Sequence, residues 1–105
     1  MTVKHRQIPR KMRVGSRTYS VEVVEAMIEK NLMGRTYYPD RNIKIGLKSN
    51  STGRVYKPTE VHDTFLHEVV HAILHDMGED SLNKNERFVT RFANRLTKAI
   101  ETARF

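Results

Sequence analysis

Three of the five histidines lie within residues 65–78, which read FLHEVVHAILHDMG. His67 and His71 are four residues apart, and Glu68 directly follows the first of them. Residues i and i+4 of a helix project from one face, one turn apart, so both imidazoles can reach one zinc ion at about 2.0–2.1 Å. Glu68 lies about 100° further around the helix, where its carboxylate can reach a water at the metal. This His-Glu-x-x-His pattern predicts metal-assisted hydrolysis.

A third ligand is expected from the helix that follows. Glu86 borders the apolar stripe of that helix, much as His67 borders the stripe of the first helix. If the two stripes pack together, the Glu86 carboxylate completes a site of two histidines and one glutamate, which leaves one position for water. Acidic residues are also favoured in the first turn of any helix, so a purely local role for Glu86 stays open.

The expected reaction is hydrolysis of a peptide bond. Glu68 would take the proton of the attacking water and deliver it to the leaving amine. A hydrogen-bond donor for the oxyanion is also expected, and the sequence does not choose among its candidates. With no cysteine in the chain, the metal must be held by histidine and carboxylate, and zinc is the expected ion, although Mn, Fe, Co and Ni suit the same ligands. The cleft and oxyanion candidates are His75, Tyr37, Tyr38 and Tyr56.

Two helices must position these residues. Apolar residues recur with a period near 3.6 over residues 59–77, with Thr59 as the expected N-cap and Gly78 as the expected stop. A second helix is predicted from about residue 85 to 103, after a polar connector. His62 falls on the apolar arc of the first helix and is expected to be packed there. The residues predicted to face the core are Phe65, Leu66, Val69, Val70, Ile73, Leu74 and Met77 on the first helix, and Phe88, Val89, Phe92, Ala93, Leu96, Ala99, Ile100 and Ala103 on the second.

Strands are predicted in the first half of the chain. Residues 11–24 read as a hairpin with a type II′ turn at Gly15 and Ser16, and residues 35–47 read as a second pair around a turn at 39–42. Residues 25–33 have helical spacing, so a short helix and an irregular crossover both stay open, and residues 48–58 are expected to form a loop. Strands followed by helices predict an α+β fold.

The composition indicates one domain of 105 residues with a basic N-terminal arm. Residues 1–17 carry six of the seven net positive charges and no acidic residue. We assign residues 1–10 to an arm and residues 11–105 to the domain. The arm suits contact with nucleic acid or an acidic partner, but its composition is equally consistent with a flexible, solvated tail. No apolar run is long enough for a membrane span, which predicts a cytoplasmic protein.

From Met12 onward the sequence resembles the ImmA/IrrE-like metallopeptidases, especially the small stand-alone versions found among phage and prophage proteins. The resemblance is carried by the segments YSVEVV, NIKIGL, TFLHEVVHAIL and NERFVTRFANRL. It implies a minimal zincin-like fold, in which a small antiparallel sheet packs on the HExxH helix and a second helix supplies Glu86 as the third zinc ligand. It also implies a protein or peptide substrate and, for a phage-encoded protein, the cytoplasm of a bacterial host. Zinc proteases of the SprT type are a second analogy, but they use a third histidine as ligand.

A different class of function remains open from the sequence alone. The chain would then be a metal-binding or catalytically weak interaction module, which contacts nucleic acid or a host protein through residues 1–17. Four basic residues on the outer face of the last predicted helix would extend such a surface, although a stripe of this kind is usually a solvated face. These residues are Arg87, Arg91, Arg95 and Lys98.

Overall fold

The computed structural model describes residues 8–105, and the first seven residues of the predicted arm lie outside the described residues. The fold is α+β, as predicted, with a small mixed sheet and three helices. The strands are β1 (Lys11–Val14), β2 (Arg17–Val24), β3 (Gly34–Tyr37) and β4 (Asn42–Gly46), and the helices are α1 (Pro58–Met77), α2 (Asp80–Lys84) and α3 (Glu86–Thr102).

The four strands form one sheet in the order β1-β2-β4-β3. Both predicted strand pairs, β1–β2 and β3–β4, are antiparallel. The prediction of a wholly antiparallel sheet is wrong, however, because β2 and β4 pair in parallel. After β2 the chain continues through residues 25–33 without a helix, and β3 lies one strand position away from β2. Strand β4 then returns antiparallel to β3 and fills the position between β2 and β3, so it runs in the same direction as β2.

The turns of the sheet follow the sequence signals closely. Gly15 has a φ of 62°, and Ser16 is not among the residues with positive φ, which is the φ pattern of the predicted type II′ turn. The second turn is shifted by one residue, to positions 38–41, because Asn42 already pairs with Tyr37 as part of β4. The chain completes this turn at Arg41, which has a positive φ of 49°.

Helix α1 begins one residue earlier than predicted. Lys57 occupies the N-cap position and Pro58 the first helical position, so the prediction of Thr59 as the N-cap is wrong. Glu60 accepts a hydrogen bond from the backbone N–H of Lys57 at 2.8 Å, and this satisfies a donor that the first turn leaves unpaired. The helix ends at Gly78, as predicted, with a φ of 73°.

Helix α1 lies between the sheet and α3 and is the centre of the domain. Ile43 and Ile45 of β4 are fully buried against it, and Val70 and Leu74 on its other side pack on Val89 and Ala93 of α3. These contacts position the first and third helices relative to each other and to the sheet. Among the described residues, no helix combines the length and the apolar character needed to cross a membrane.

The buried faces of α1 and α3 are narrower than the sequence predicts, because residues at the edges of the predicted faces are exposed. On α1, Ile73 and Met77 are 40% and 62% exposed, and on α3, Phe92 is 50% exposed. A short sheet and one neighbouring helix do not cover the full apolar arc that the period predicts. His62 is buried, as expected, and its Nδ1 lies 2.9 Å from Glu101 Oε2.

Candidate metal centre

The two histidines of the HExxH pattern lie against the first turn of α3. His67 Nε2 is 3.1 Å from Glu86 Oε1, and His71 Nε2 is 3.0 Å from Glu86 Oε2. One nitrogen of each histidine and one oxygen of Glu86 all lie within 4.8 Å of one another. The antiparallel packing of α1 and α3 thus brings together three side chains, the first and last of which are 19 positions apart in the sequence.

The chemistry of this group fits a divalent transition metal. Two imidazole nitrogens and one carboxylate oxygen are the protein ligands of many catalytic zinc sites. The Nδ1 atom of His71 lies 2.6 Å from Asn83 Oδ1, an oxygen that can only accept a hydrogen bond. Nδ1 can thus donate to Asn83, while the other ring nitrogen, Nε2, faces the Glu86 carboxylate at 3.0 Å. In the neutral ring with its hydrogen on Nδ1, the Nε2 lone pair is available to a metal that Glu86 and His67 would also bind. This is the tautomer that a metal ligand needs.

Glu68 lies beside the candidate ligand group of His67, His71 and Glu86 and is buried, with 7% of its surface exposed. The Thr36 hydroxyl is 2.8 Å from Glu68 Oε1 and 3.0 Å from its backbone oxygen. Burial raises the pKa of Glu68, whereas the hydrogen bond from Thr36 and the nearby His67 and His71 lower it. The carboxylate is thus held in one orientation beside the histidines.

Close approach of β3 to α1 makes the contact of Thr36 with Glu68 possible. Gly34 stands where a side chain would collide with the helix, because an added Cβ would lie 2.7 Å from Thr64 Cγ2. Thr36 is 7% exposed and occupies the inward position of β3. A strand with a larger residue at position 34 would stand further from α1, and this would lengthen the contact of the Thr36 hydroxyl with Glu68.

The four cleft and oxyanion candidates occupy different environments. Tyr37 and Tyr38 both line the cleft of the site, but the Tyr37 hydroxyl donates its hydrogen to Glu29 Oε2 at 2.6 Å. The Tyr38 hydroxyl accepts a hydrogen bond from Asn83 Nδ2 at 3.0 Å and keeps its own hydrogen for another partner. Burial raises the pKa of Tyr38, so this hydroxyl stays protonated at neutral pH.

The other two candidates, Tyr56 and His75, lie in different places. Tyr56 stands beside Arg54 and does not line the cleft. The exposed His75 stacks on Tyr38, with ring centroids 4.1 Å apart.

A cleft of about 1030 Å³ opens over the candidate ligand group. Its walls are β3 with the adjoining turn on one side, and α1 with the start of α3 on the other. In the sheet order β3 is an edge strand, so one of its backbone edges has no strand partner among the described residues. An extended peptide can be accommodated beside such an edge.

Two residues of the site were not found by sequence reasoning. Asn83 belongs to α2, a five-residue helix that we expected to be part of a connector, and a polar residue in a polar segment carries no signal. Thr36 did carry a signal in the sequence. Side chains of a strand point alternately to its two faces, and Thr36 lies on the inward face, opposite to its neighbours Arg35 and Tyr37. A hydroxyl at an inward position needs a hydrogen-bond partner, and that partner is Glu68.

The basic residues of the predicted interaction surface are only partly described. Lys4 and Arg6 lie outside the described residues, and Arg10, Lys11, Arg13 and Arg17 are exposed. Ile8 is buried in the core, and the Arg10 carbonyl accepts a hydrogen bond from the Val21 N–H, so both residues contact the domain just before β1 begins. The four basic residues on the outer face of α3 are exposed as well. Contact of this surface with nucleic acid or a host protein stays a prediction.

Comparison with known proteins adds no relative. The chain has no significant match among protein-family models, curated proteins or solved structures.

Proposed function

We propose that the protein is a zinc-dependent metallopeptidase of the ImmA/IrrE-like type, with a minimal zincin-like fold. His67, His71 and Glu86 hold the metal, and Glu68 is the general base. The observation that carries the proposal is the approach of both histidine Nε2 atoms to one carboxylate, at 3.0 and 3.1 Å, in a cleft that also contains buried Glu68. When zinc is bound, it supplies a Lewis acid for the scissile carbonyl and lowers the pKa of the attacking water.

Side chains around the cleft supply proton transfer, its orientation and stabilisation of the oxyanion. Glu68 takes up the proton of the attacking water on a carboxylate oxygen and passes it to the leaving amine. The Thr36 hydroxyl holds Oε1 of Glu68, so the carboxylate keeps one orientation during this transfer. Tyr38 donates its free hydroxyl hydrogen to the developing oxyanion, because its oxygen already accepts from Asn83.

The shape of the cleft supports a peptide as the substrate. The edge strand β3 forms one wall, and its backbone can pair with an extended peptide chain. Pairing of this kind recognises the backbone and is tolerant of side chains. The substrate is therefore an extended, unstructured segment of a protein that enters between β3 and α3.

The test combines metal content with peptide cleavage. Purified protein is assayed for bound metal by elemental analysis, and a mixture of unstructured peptides is incubated with it and examined by mass spectrometry. We expect about one zinc per chain in the wild type and in Glu68→Gln, and clear loss of zinc in His71→Ala and Glu86→Ala. Cleavage should occur in the wild type and disappear in all three variants.

The matched control is Glu79→Gln, which removes an exposed carboxylate close to α2 that has no side-chain hydrogen bond among the described residues. This variant should keep both zinc and cleavage. Wild-type protein without bound metal, or cleavage that persists in Glu68→Gln, would refute the proposed function.

A further inference from the structure

Helix α2 places one side chain between two residues of the site. Asn83 projects its amide oxygen to within 2.6 Å of His71 Nδ1 and its amide nitrogen to within 3.0 Å of the Tyr38 hydroxyl. Its backbone N–H is held by the Glu79 carbonyl at 2.9 Å, so the residue is anchored in the helix. Both ends of the amide are therefore occupied, and each end contacts a residue with a role in the proposed mechanism.

We propose that Asn83 is a positioning residue of the metal centre, which orients the His71 ring and selects its tautomer; this inference rests on the proposed function. The amide oxygen accepts the Nδ1 hydrogen of His71, which leaves the Nε2 lone pair for the metal that Glu86 and His67 would also bind. The opposite orientation of the amide would place its NH₂ group against Nδ1. The ring would then carry its hydrogen on Nε2, where a metal ligand needs a lone pair.

The Tyr38 contact completes the hydrogen bonding of the amide in this orientation. The phenol oxygen accepts from the amide nitrogen, and the Tyr38 ring is itself restrained by stacking on His75 at an interplanar angle of 20°. A chain of contacts thus runs from His75 through Tyr38 and Asn83 to His71. Because a ligand that is already oriented loses less freedom when it binds a metal, this chain should raise metal affinity.

The primary experiment measures zinc affinity by competition with a chelator. We compare the full-length wild type with Asn83→Ala, Asn83→Asp and the control Ser81→Ala, an exposed residue of the same short helix. Asn83→Ala should bind zinc about 10–100-fold more weakly. Asn83→Asp keeps an oxygen that accepts from Nδ1, so its affinity should equal or exceed that of the wild type, and Ser81→Ala should be unchanged. Thermal unfolding of each metal-free variant checks that all are folded.

A second readout needs no metal. The Glu86 carboxylate, 3.0 Å from His71 Nε2, competes with Asn83 for the ring hydrogen in metal-free protein, so this readout uses the Glu86→Ala background. Long-range ¹H–¹⁵N spectra of the metal-free, ¹⁵N-histidine-labelled protein at alkaline pH report which ring nitrogen carries the hydrogen. We expect the Nδ1–H form for His71 in Glu86→Ala and in Glu86→Ala with Asn83→Asp, and a shift towards the Nε2–H form in Glu86→Ala with Asn83→Ala.

The outcomes separate the two proposals. An Nε2–H form of His71 in Glu86→Ala, or an Asn83→Ala affinity equal to that of the wild type, overturns the role of Asn83. If the wild type binds no zinc, but Glu86→Ala shows the Nδ1–H form and loses it when Asn83→Ala is added, the proposed function fails while Asn83 remains the residue that orients His71.

Discussion

The hydroxyl of Thr36 donates to the Glu68 carboxylate across the interface between the edge strand β3 and helix α1, over 2.8 Å. Thr36 also reaches the backbone oxygen of Glu68 at 3.0 Å, so one side chain links the strand to the helix at the point where the chemistry is proposed. The sheet therefore takes part in the site, although all three proposed metal ligands come from helices.

Replacement of Thr36 by valine tests this link. The variant keeps the shape of the side chain but removes the hydroxyl that orients Glu68. We expect kcat for peptide cleavage to fall about tenfold or more with KM and zinc content little changed, because oriented proton transfer is worth about 10²–10⁴-fold. Unfolding in urea should show a loss of about 1 kcal/mol. Thr36→Ser should restore both properties, and a fully active Thr36→Val would contradict the role of this contact.

The two neighbouring tyrosines provide a matched pair for the oxyanion donor. Tyr38→Phe removes a hydroxyl whose hydrogen is free, so kcat should fall on the order of 10²-fold with KM nearly constant. Tyr37→Phe removes a hydroxyl that is already committed to Glu29, and its kcat should change little. Steady-state kinetics on one peptide substrate compares the two variants directly. Equal effects in both would argue against Tyr38 as the donor.

The lowered pKa of Glu60 makes the stability of the fold depend on pH. Bidentate hydrogen bonds from Arg54, at 3.1 Å each, and the N–H of Lys57 lower the pKa of Glu60 from 4.5 to about 2. Since the folded-state pKa lies below the unfolded value, the contribution of Glu60 is complete above about pH 4.5 and is lost as the pH falls towards 2.

Glu60→Gln should therefore be less stable than the wild type at pH 7, by about 0.5–1 kcal/mol for a pair that is partly exposed to solvent. The difference between the two proteins should shrink as the pH falls from 4.5 to 2. Urea unfolding of both proteins across this range measures it. A difference that stays constant with pH would show that the charge of Glu60 does not stabilise the start of α1.

Gly34 controls the distance between β3 and α1. In Gly34→Ala the new methyl group would meet Thr64 Cγ2 at 2.7 Å and the Lys44 carbonyl at 3.0 Å, so the strand must move. We expect a loss of about 1–3 kcal/mol in thermal or urea unfolding, together with reduced kcat because Thr36 moves away from Glu68. Adding Thr64→Ser, which removes the Cγ2 methyl, should recover part of both losses.

The control for Gly34 is Gly53→Ala in the loop before α1. Gly53 has a φ of 76° and no atom within 4 Å of the added Cβ, so its cost comes from the backbone alone, about 1–2 kcal/mol. Activity should be unaffected by this change. If Gly53→Ala lowered kcat as much as Gly34→Ala, general destabilisation would explain both results.

The sequence by itself determined the two long helices, α1 and α3, and the histidine pair. Spacing of i and i+4 places His67 and His71 on one face of any helix that contains them, and a 3.6-residue apolar period is a property of the helix itself. The start and end of α1 and α3 were predicted to within one residue, although the N-cap of α1 is Lys57 and not the predicted Thr59. The β1–β2 hairpin also follows from local turn chemistry at Gly15 and Ser16.

Only the tertiary structure decided the relationships between distant residues. The parallel pairing of β2 with β4 depends on which sheet position the crossover leaves free. The contacts of Asn83 with His71 and of Thr36 with Glu68 depend on how α2 and β3 are packed against α1. The exposure of Ile73, Met77 and Phe92 depends on how far the neighbouring elements extend. Local periodicity contains no information about these long-range contacts, since they are set by the packing of one domain around α1.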